Sequence, residues 1–341
     1  MAKVKFDDIA RECRNTFKGV KNDVAIVGLE HIVPNEMLVK DYEVDAETTF
    51  SKSFKKGQIL FGRRRAYQQK AGVATFDGIC SGDITVIEAI QGKVDKDLLP
   101  FIIQNERFFE HAVQGSAGSL SPRVKWEHLA SYEFDLPPLN EQKILADKLW
   151  AAYRLKESYK KLLAATDEMV KSQFIEMFKE APRIELGKMA SFINGSAFKP
   201  EEWSSDGLPI VRIQNLTQDD SPYNYYDGDT TKKIVIDNGD MLVSWSATLG
   251  VFLWSKGKAL LNQHIFKVSF DKLDVNKDFF VYAVKLALDK MSEVAHGSTM
   301  RHVVKKDFNE TIVANPSIND QESFALIAKQ ADKSKYYYQI A

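Results

Sequence analysis

The sequence predicts an α+β protein of two similar domains, each followed by a helix. Residues 136–142 and 315–321 share Pro, an aliphatic residue, Asn, an acidic residue and Gln in the same order. Both halves contain short strand-like runs, and residues 140–178 contain no Gly or Pro. The two repeated segments lie roughly 180 residues apart, which is too long a period for a solenoid and therefore indicates two domains.

The first half, residues 1–139, is predicted to be one α+β domain. Strand-like runs occur at residues 24–27, 58–61 and 83–87, and a helical stretch follows at 98–112. Strands and helices do not alternate regularly, so a parallel βαβ sheet is not expected.

The second half, residues 183–316, repeats this pattern. Its predicted strands are 209–213, 241–245 and 264–268, and its predicted helix is 279–294. Three further pairs of segments keep nearly the same offset: 27–32 with 211–216, 57–60 with 239–242, and 114–116 with 296–298. The framework residues match in these pairs, whereas the loops differ.

Residues 140–182 are predicted to form a long central helix, and residues 317–341 a shorter one. Apolar residues recur on the central helix at steps of three and four, which makes a stripe along one face. A long helix with a narrow stripe favours a partner helix, although a helix lying across a large domain is the alternative. The packing or docking residues are predicted to be Leu145, Leu149, Leu155, Tyr159, Leu162, Phe174, Phe324 and Ile327.

Composition limits the functions that the chain can have. The net charge is −1, which gives no global signal for nucleic acid but allows a local basic face. The apolar runs are too short for a membrane span, and the two cysteines suggest reduced thiols in a cytoplasmic protein. The sequence lacks a phosphate-binding loop, a hydrolase elbow and a zinc motif, so no catalytic or metal-binding residue is predicted.

Basic and amide side chains in the first half indicate DNA binding. Arginine can clamp a phosphate or contact guanine through two bonds, and glutamine can read adenine. The alternative is a solvated loop. The candidate residues of this half are Arg63, Arg64, Arg65, Tyr67, Gln68, Arg123 and Lys125.

The second half offers candidates at matching places. Residues 245–249 lie opposite the arginines, and residues 262–264 are the counterpart of 81–83. Strand alternation would put Arg212 and Gln214 on one face. Facing water or bonding a loop to a strand end is the alternative. The candidates are Arg212, Gln214, Asn215, Trp245, Ser246, Asn262, Gln263, His264, Arg301, His302 and Lys305.

Taken in order, these segments resemble a specificity subunit of type I restriction–modification enzymes. Residues 136–144 and the long helix ending near 178 are similar to the central conserved region of that family. Residues 184–195 are similar to the start of a target recognition domain, and 239–246, 261–266 and 297–299 to frequent family segments. The resemblance covers nearly the whole chain in both copies.

The resemblance implies that each half is a target recognition domain reading one part of a split double-stranded DNA target. It implies that the helices form an antiparallel coiled coil, which separates the domains and docks two methyltransferase subunits. Those subunits would carry S-adenosylmethionine and methylate adenine. Restriction subunits, using ATP and Mg, would join them. The chain itself would hold no cofactor and catalyse nothing.

One departure from the family concerns the second helix, which stops at Ala341 and is shorter than the first. We therefore expect a shortened C-terminal region, and burial of the stripe from Leu162 to Phe174 by a subunit or another copy. Two alternatives remain at this point. A regulator or DNA mimic would dock the methyltransferase without reading DNA, and a fused enzyme fragment would modify DNA by itself.

Overall fold

In a computed structural model, the chain forms two compact units, Met1–Ser158 and Tyr159–Ala341. The structure describes residues 2–45, 47–218, 220–294 and 305–340. Each unit has its own apolar core and is described by itself. The division falls within a long helix, so each unit contains one part of it.

Among its described residues, the first unit has ten strands and four short helices of its own. In chain order these are β1 (Ala2–Lys5), α1 (Phe6–Ile9), β2 (Ala10–Cys13), β3 (Ala25–Val27), β4 (Leu38–Val39), β5 (Lys52–Phe54), β6 (Ile59–Gly62), β7 (Ala71–Ala74), β8 (Gly78–Cys80), β9 (Ile84–Ala89), α2 (Leu99–Ile103), α3 (Glu106–Gln114), α4 (Trp126–Ala130) and β10 (Glu133–Leu136). A five-stranded sheet has the order β2-β9-β6-β7-β4, and a three-stranded sheet the order β3-β8-β5. Strands β1 and β10 pair antiparallel.

The long helix, α5, runs over Leu139–Phe178. Its 40 residues without Gly or Pro give a length of about 60 Å. Two prolines precede it, and the N–H of Gln142 donates to the carbonyl of Pro138 (3.0 Å) in the first turn.

The second unit repeats the first in the same chain order. Its elements are β11 (Arg183–Glu185), α6 (Leu186–Met189), β12 (Ser191–Asn194), β13 (Leu208–Val211), α7 (Ile213–Thr217), β14 (Asn224–Tyr226), β15 (Val235–Ile236), β16 (Met241–Ser244), β17 (Gly250–Leu253), β18 (Ala259–Leu261), β19 (Ile265–Ser269), α8 (Lys277–Val294), α9 (Lys305–Glu310), β20 (Ile312–Ala314) and α10 (Ile318–Ile340). Its sheets have the orders β12-β19-β16-β17 and β14-β13-β18-β15, and β11 pairs with β20.

The two units therefore share one topology. The order β2-β9-β6-β7 corresponds to β12-β19-β16-β17, and β3-β8-β5 corresponds to β13-β18-β15. The pairs β3–β8 and β13–β18 are parallel, and the pairs β5–β8 and β15–β18 are antiparallel. Strand β4 is an addition in the first unit and β14 in the second. The prediction of two similar α+β domains is confirmed.

The repeat extends to single hydrogen bonds in the turn before β6 and β16. Gly57 and Gly239 both have a φ of +89°, a left-handed conformation that glycine adopts at little cost. The side chains of Gln58 and Asp240 each accept the backbone N–H three residues earlier, at 2.8 Å in both turns. These turns are the repeated segments 57–60 and 239–242.

A buried glutamine is repeated in the same way after each domain. The side-chain oxygen of Gln142 accepts the N–H of Asp95 (2.8 Å), and its amide donates to the carbonyl of Pro137 (2.8 Å). Gln321 makes the same two bonds, at 2.9 Å to the N–H of Asn276 and at 3.0 Å to the carbonyl five residues before it. Each glutamine thus fastens a helix to the domain that precedes it.

The end of α5 is a core element of the second unit. Val170, Phe174 and Phe178 are buried, and the ring of Phe174 lies 5.2 Å from that of Phe279 on α8 and 5.0 Å from that of Phe324 on α10. The expectation that another chain covers the stripe as far as Phe174 is therefore wrong for its final turns. The chain buries them itself, because aromatic residues from three helices fill one cluster.

Two predicted elements differ from the structure. The helix expected at 98–112 is divided into α2 and α3, because the Asn105 side chain accepts the N–H of Arg107 (3.0 Å) and caps a new helix start. The strand expected at 209–213 ends at Val211, and α7 begins at Ile213. Strand alternation therefore does not apply to Arg212 and Gln214.

Candidate nucleic-acid interface

In the first unit, three segments distant in sequence meet beyond the end of β6. The N–H of Arg63 donates to the carbonyl of Asp83 (2.9 Å), and the carbonyl of Arg63 accepts the N–H of Val124 (3.0 Å). The N–H of Arg65 donates to the carbonyl of Pro122 (2.8 Å). The backbone thus brings Arg63, Arg64 and Arg65 together with Arg123, and we call these four residues the arginine cluster.

The carboxylate of Asp83 lies among these arginines. It accepts two bonds from Arg123, from Nε at 2.7 Å and from Nη2 at 3.2 Å, and Nη1 of Arg64 lies at 3.5 Å. The hydroxyl oxygen of Ser121 accepts from Nε (3.2 Å) and Nη2 (2.9 Å) of Arg64. The hydrogen bond from Arg123 is the main cause of the lowered pKa of Asp83, so this side chain stays ionised at neutral pH.

The arginine cluster carries more positive charge than Asp83 neutralises. The side chains of Arg64 and Arg123 are 38% and 45% exposed, so a ligand can reach both. The Nε atoms of Arg63 and Arg65 are buried without a hydrogen-bond partner. Phosphate oxygens and the O6/N7 edge of guanine are the acceptors in DNA that such guanidinium groups bind.

The loop that carries the arginines is held in an uncommon conformation. Arg65 has a φ of +54° and Gln69 a φ of +52°, on either side of a short 3-10 turn over Ala66–Gln68. Non-glycine residues adopt this region rarely, and such strain is concentrated at functional sites. The turn presents an exposed Tyr67 and a half-buried Gln68, and Lys125 is exposed beside the loop.

The second unit builds the same frame with other side chains. The N–H of Trp245 points to the carbonyl of His264 (3.5 Å), as Arg63 does to Asp83. The N–H of His264 donates to the side chain of Asn262 (3.4 Å), as that of Asp83 does to Ser81 (3.2 Å). Ala247 has a φ of +57°, close to the +54° of Arg65. The predicted equivalence of 81–83 and 262–264 is confirmed.

An aromatic cluster stands where the first unit has arginines. The ring of Trp245 is stacked on Phe266 at 5.7 Å and lies 5.6 Å from the ring of His264. The exposed Lys305 places its ammonium 5.7 Å from the centre of the Phe266 ring. Phe266 is buried, whereas Trp245 and His264 are half-buried, and exposed ring surface of this kind stacks on bases or contacts the methyl group of thymine. The exposed Gln263 adds an amide beside them.

Asn215 does not belong to a ligand-binding surface. It is buried, its side-chain oxygen accepts the N–H of Arg212 (3.0 Å), and its amide donates to the carbonyls of Ser221 and Pro222 (3.2 Å each). His31 performs the same duty in the first unit, where its Nδ1 accepts the N–H at position 28 (2.9 Å). The prediction that Asn215 contacts DNA is wrong, because its polar groups hold the loop together.

The other candidates in the second unit differ in their exposure to solvent. The guanidinium group of Arg212 lies 5.6 Å above the ring of Trp203, and its Nε is buried without a hydrogen-bond partner. Gln214 is exposed, Asn262 is half-buried and used by its turn, and Ser246 is buried. Arg301, His302 and the repeated segment 296–298 lie outside the described residues.

The helix residues predicted for packing or docking fall into three groups. Phe174 and Phe324 are buried in the second unit, and Leu149, Tyr159 and Ile327 are half-buried. Leu145, Leu155 and Leu162 are exposed by 41%, 54% and 41%. The exposed leucines are the members of the set that a further chain can cover.

Sequence reasoning missed Asp83 and Ser121 as parts of the site. Asp83 was placed only within the counterpart of 262–264, and its contact with Arg123 spans 40 residues of sequence. Two signals were available in the sequence, since Asp83 begins a predicted strand and Ser121 precedes the basic residues Arg123 and Lys125. Neither signal specifies a partner without the fold.

In the part of the chain that the structure describes, no helix is both long and apolar enough to cross a membrane. Within the same residues, His, Cys, Asp and Glu side chains form no group of three suited to a metal ion.

Comparison with known proteins identifies relatives of this chain. A family model described as the type I restriction modification DNA specificity domain matches residues 14–165 and 180–336. The EcoBI specificity subunit of Escherichia coli is 26% identical over 152 residues, which is 44% of this chain and 31% of that protein. The EcoDI subunit is similarly 26% identical over 147 residues, 41% of this chain and 32% of that protein.

Wider but weaker similarity extends over most of the chain. A putative type I restriction enzyme MjaX specificity subunit of Methanocaldococcus jannaschii is 20% identical over 306 residues, 81% of this chain and 72% of that protein. The crystal structure of a type I restriction–modification S subunit from M. genitalium has a TM-score of 0.56 at 14% identity, covering 99% of this chain and 91% of that one, which supports the fold. Because the family model matches both repeats over most of their length, the chain belongs to the type I restriction–modification DNA specificity family.

Proposed function

We propose that this chain is the sequence-specific DNA-binding subunit of a type I restriction–modification system and reads a bipartite target. The observation that carries the proposal is the arginine cluster in one unit and the aromatic cluster at the equivalent place in the other. One backbone frame holding two different sets of side chains suits a protein that reads two different half-sites. Domains are proposed at residues 1–139 and 183–316.

The proposed contact residues are those candidates that face solvent or line the two clusters. Phosphate contacts would supply affinity that depends on salt, and base contacts would supply specificity of about 1–3 kcal/mol each. The arginine cluster argues against a DNA mimic, because a mimic presents carboxylates in place of phosphates.

The proposal extends to partner subunits. We propose that two methyltransferase subunits dock on the exposed leucines of α5 and supply S-adenosylmethionine and the methylation of adenine. Restriction subunits using ATP and Mg would join this complex in the cytoplasm. The chain would carry no catalytic residue, and α5 with α10 would form the antiparallel coiled coil of the assembly.

Reconstitution with the methyltransferase subunit of the same system tests the proposal. We expect adenine methylation of a split target only when both proteins and S-adenosylmethionine are present, with the target read out by methylome sequencing. Methylation by the chain alone would establish the fused enzyme. Methylation by the mixture without sequence preference would contradict a role in specificity.

Removing one arginine tests the first contact surface. Arg64→Ala should weaken binding of the complex to the intact target, because a guanidinium contact is lost. If Arg64 contacts phosphate, the slope of log affinity against log salt concentration should fall in magnitude by about one. If it contacts guanine, the complex should instead lose preference for guanine at that position. Lys55→Ala is the matched control, since Lys55 is exposed at the other end of β6 and pairs with Asp77. Equal effects of the two variants would remove Arg64 from the contact set.

A further inference from the structure

Hydrogen bonds to the N–H and to the carbonyl of Asp83 fix the position of this residue. Its N–H donates to the hydroxyl of Ser81 (3.2 Å), and its carbonyl accepts the N–H of Arg63 (2.9 Å). From this fixed point its carboxylate reaches arginines on two other segments, Arg123 at 2.7 and 3.2 Å and Arg64 at 3.5 Å. Asp83 therefore links the loop after β6 with the segment before α4.

The contacts leave part of each arginine available. A guanidinium group has five N–H donors. Asp83 accepts from two of those of Arg123, and Ser121 accepts from two of those of Arg64, whose Nη1 forms an ion pair with Asp83 at 3.5 Å. Both side chains are partly exposed. They therefore present the remaining donors to solvent from a fixed position, which lowers the entropy that binding must remove.

The second unit shows that the turn itself does not require a carboxylate. His264 occupies the place of Asp83, and its N–H and carbonyl are engaged in the same way, by the side chain of Asn262 and the N–H of Trp245. The loop opposite His264 carries Trp245 and Ala247 in place of Arg63 and Arg65. The carboxylate thus occurs in the unit with the arginines and is replaced where aromatic residues stand. Its purpose lies with the arginines and not with the turn.

We infer that Asp83 is a positioning residue that presents Arg64 and Arg123 as a fixed pair to hydrogen-bond acceptors in one half-site of the DNA. This inference rests on the proposed function and specifies which residue orders its first contact surface. The acceptors are either the N7/O6 edge of guanine or phosphate oxygens, which share the geometry that two guanidinium groups select. Because His264 replaces Asp83 in the second unit, the other half-site would be bound without a fixed pair of arginines.

The first experiment compares charge removal at two aspartates. The complex of the full chain with its methyltransferase subunit is titrated with the intact target and with duplexes altered in one half-site. Asp83→Asn should lower the preference for one intact half-site at least about 10-fold and leave the other unchanged. Asp83→Glu, which keeps the charge, should recover part of that preference. Asp77→Asn, an exposed carboxylate paired with Lys55, should match the wild type.

Two modified DNA targets show whether the acceptors belong to guanine or to phosphate. Replacing guanine by 7-deazaguanine in the affected half-site removes N7. If Arg64 and Arg123 read guanine, the wild type should lose affinity on this target and Asp83→Asn should lose no more. Methylphosphonate linkages remove the phosphate charge instead. If the pair binds phosphate, they should abolish the difference between the wild type and Asp83→Asn.

Ser121→Ala provides a second route, because it releases Arg64 while leaving Asp83 in place. It should reduce the same half-site preference, which keeps the test valid if Asp83→Asn does not fold. The inference is overturned if Asp83→Asn behaves as Asp77→Asn does, or if both half-sites lose preference equally. Absence of sequence preference in the wild-type complex would instead overturn the proposed function.

Discussion

The arginine cluster shows how one side chain controls the chemistry of its neighbours. Arg64 and Arg123 lie on segments far apart in sequence, and a single carboxylate holds both. Because like charges repel, this arrangement depends on Asp83 remaining ionised. Two predictions at the residue scale follow from burial and ionisation of named groups.

The first prediction concerns Asp83 and acid. Its pKa is lowered, chiefly by the hydrogen bond from Arg123 and further by the charges of Arg123 and Arg64. A carboxyl group whose folded pKa is depressed adds stability above its ordinary pKa of about 3.9, and this stability is lost as the pH falls through the folded value. The free energy of unfolding of Asp83→Asn should therefore lie below that of the wild type at pH 7, and the gap should close below about pH 4. Denaturant titrations across pH measure it, and a gap that is constant with pH would contradict the ionic contact.

The second prediction concerns the two thiols. Burial raises the pKa of both Cys13 and Cys80 to about 12, and a hydrogen bond with Glu88 adds to the effect at Cys13. Only the thiolate attacks alkylating reagents. Iodoacetamide at pH 8 should leave both cysteines unmodified in the folded chain and label both in urea, as measured by mass spectrometry. Rapid labelling of Cys80 under native conditions would show that the core around it opens.

At the scale of elements, the duplication includes a buried glutamine at the start of each long helix. Gln142 and Gln321 each join the start of their own helix to the carbonyl five residues earlier and to a backbone N–H just before an earlier helix of the same domain. Both side chains are buried, so their bonds are protected from competition with water.

Loss of either glutamine should cost stability of similar size. Gln142→Ala and Gln321→Ala each remove the partner of a partly buried N–H and of a backbone carbonyl, which we expect to lower the free energy of unfolding by about 1–3 kcal/mol. Gln173→Ala is the matched control, because Gln173 is exposed on α5 and should change stability by less than about 0.5 kcal/mol. Equal denaturation midpoints for all three variants would contradict this role.

The sequence allowed most elements to be predicted, and the exceptions have local causes. The absence of Gly and Pro specified α5 within a residue at its start. Helix α7 was missed because Val211, Arg212 and Ile213 alternate as a strand would, while the deciding bond from Arg212 to Asn215 appears only in the folded loop. Asn105 interrupts α2 and α3 through a single capping bond. Such bonds outweigh periodicity over a few residues.

The site was less predictable than the fold. Arg63, Arg64 and Arg123 were identified as basic residues, yet nothing in the sequence joins them, since Arg123 meets Asp83 across 40 residues. The aromatic cluster was only partly identified, because Phe266 reads as an ordinary strand residue until Trp245 stacks on it. Contacts between distant segments require the topology, which the residues near each segment do not encode.

At the scale of the whole molecule, each unit has a complete core and the exposed leucines of α5 belong to neither. Phe174 and Val170 are used within the second unit, whereas Leu155 and Leu162 remain largely exposed. Folding and assembly should therefore be separable by mutation.

Replacing both leucines tests this separation. Leu155→Gln with Leu162→Gln should reduce affinity for the methyltransferase subunit at least about 10-fold, because burying these leucines would supply apolar contact area. The thermal unfolding midpoint of the isolated chain should change little. Light scattering and titration calorimetry measure assembly, and Glu168→Gln is a control at an exposed position on the same helix. Unchanged affinity would move the docking surface away from this stretch.

The matching turns at Gly57 and Gly239, and at Ser81 and Asn262, have a consequence for how such a protein changes over time. The bonds that fix each loop use backbone groups and a few anchoring side chains, whereas the side chains that the two loops carry differ, as Arg63 and Trp245 do. Selection for folding and selection for the ligand therefore act on different positions. A lineage can acquire a new target by substituting a handful of outward residues, while the inherited scaffold stays under constraint.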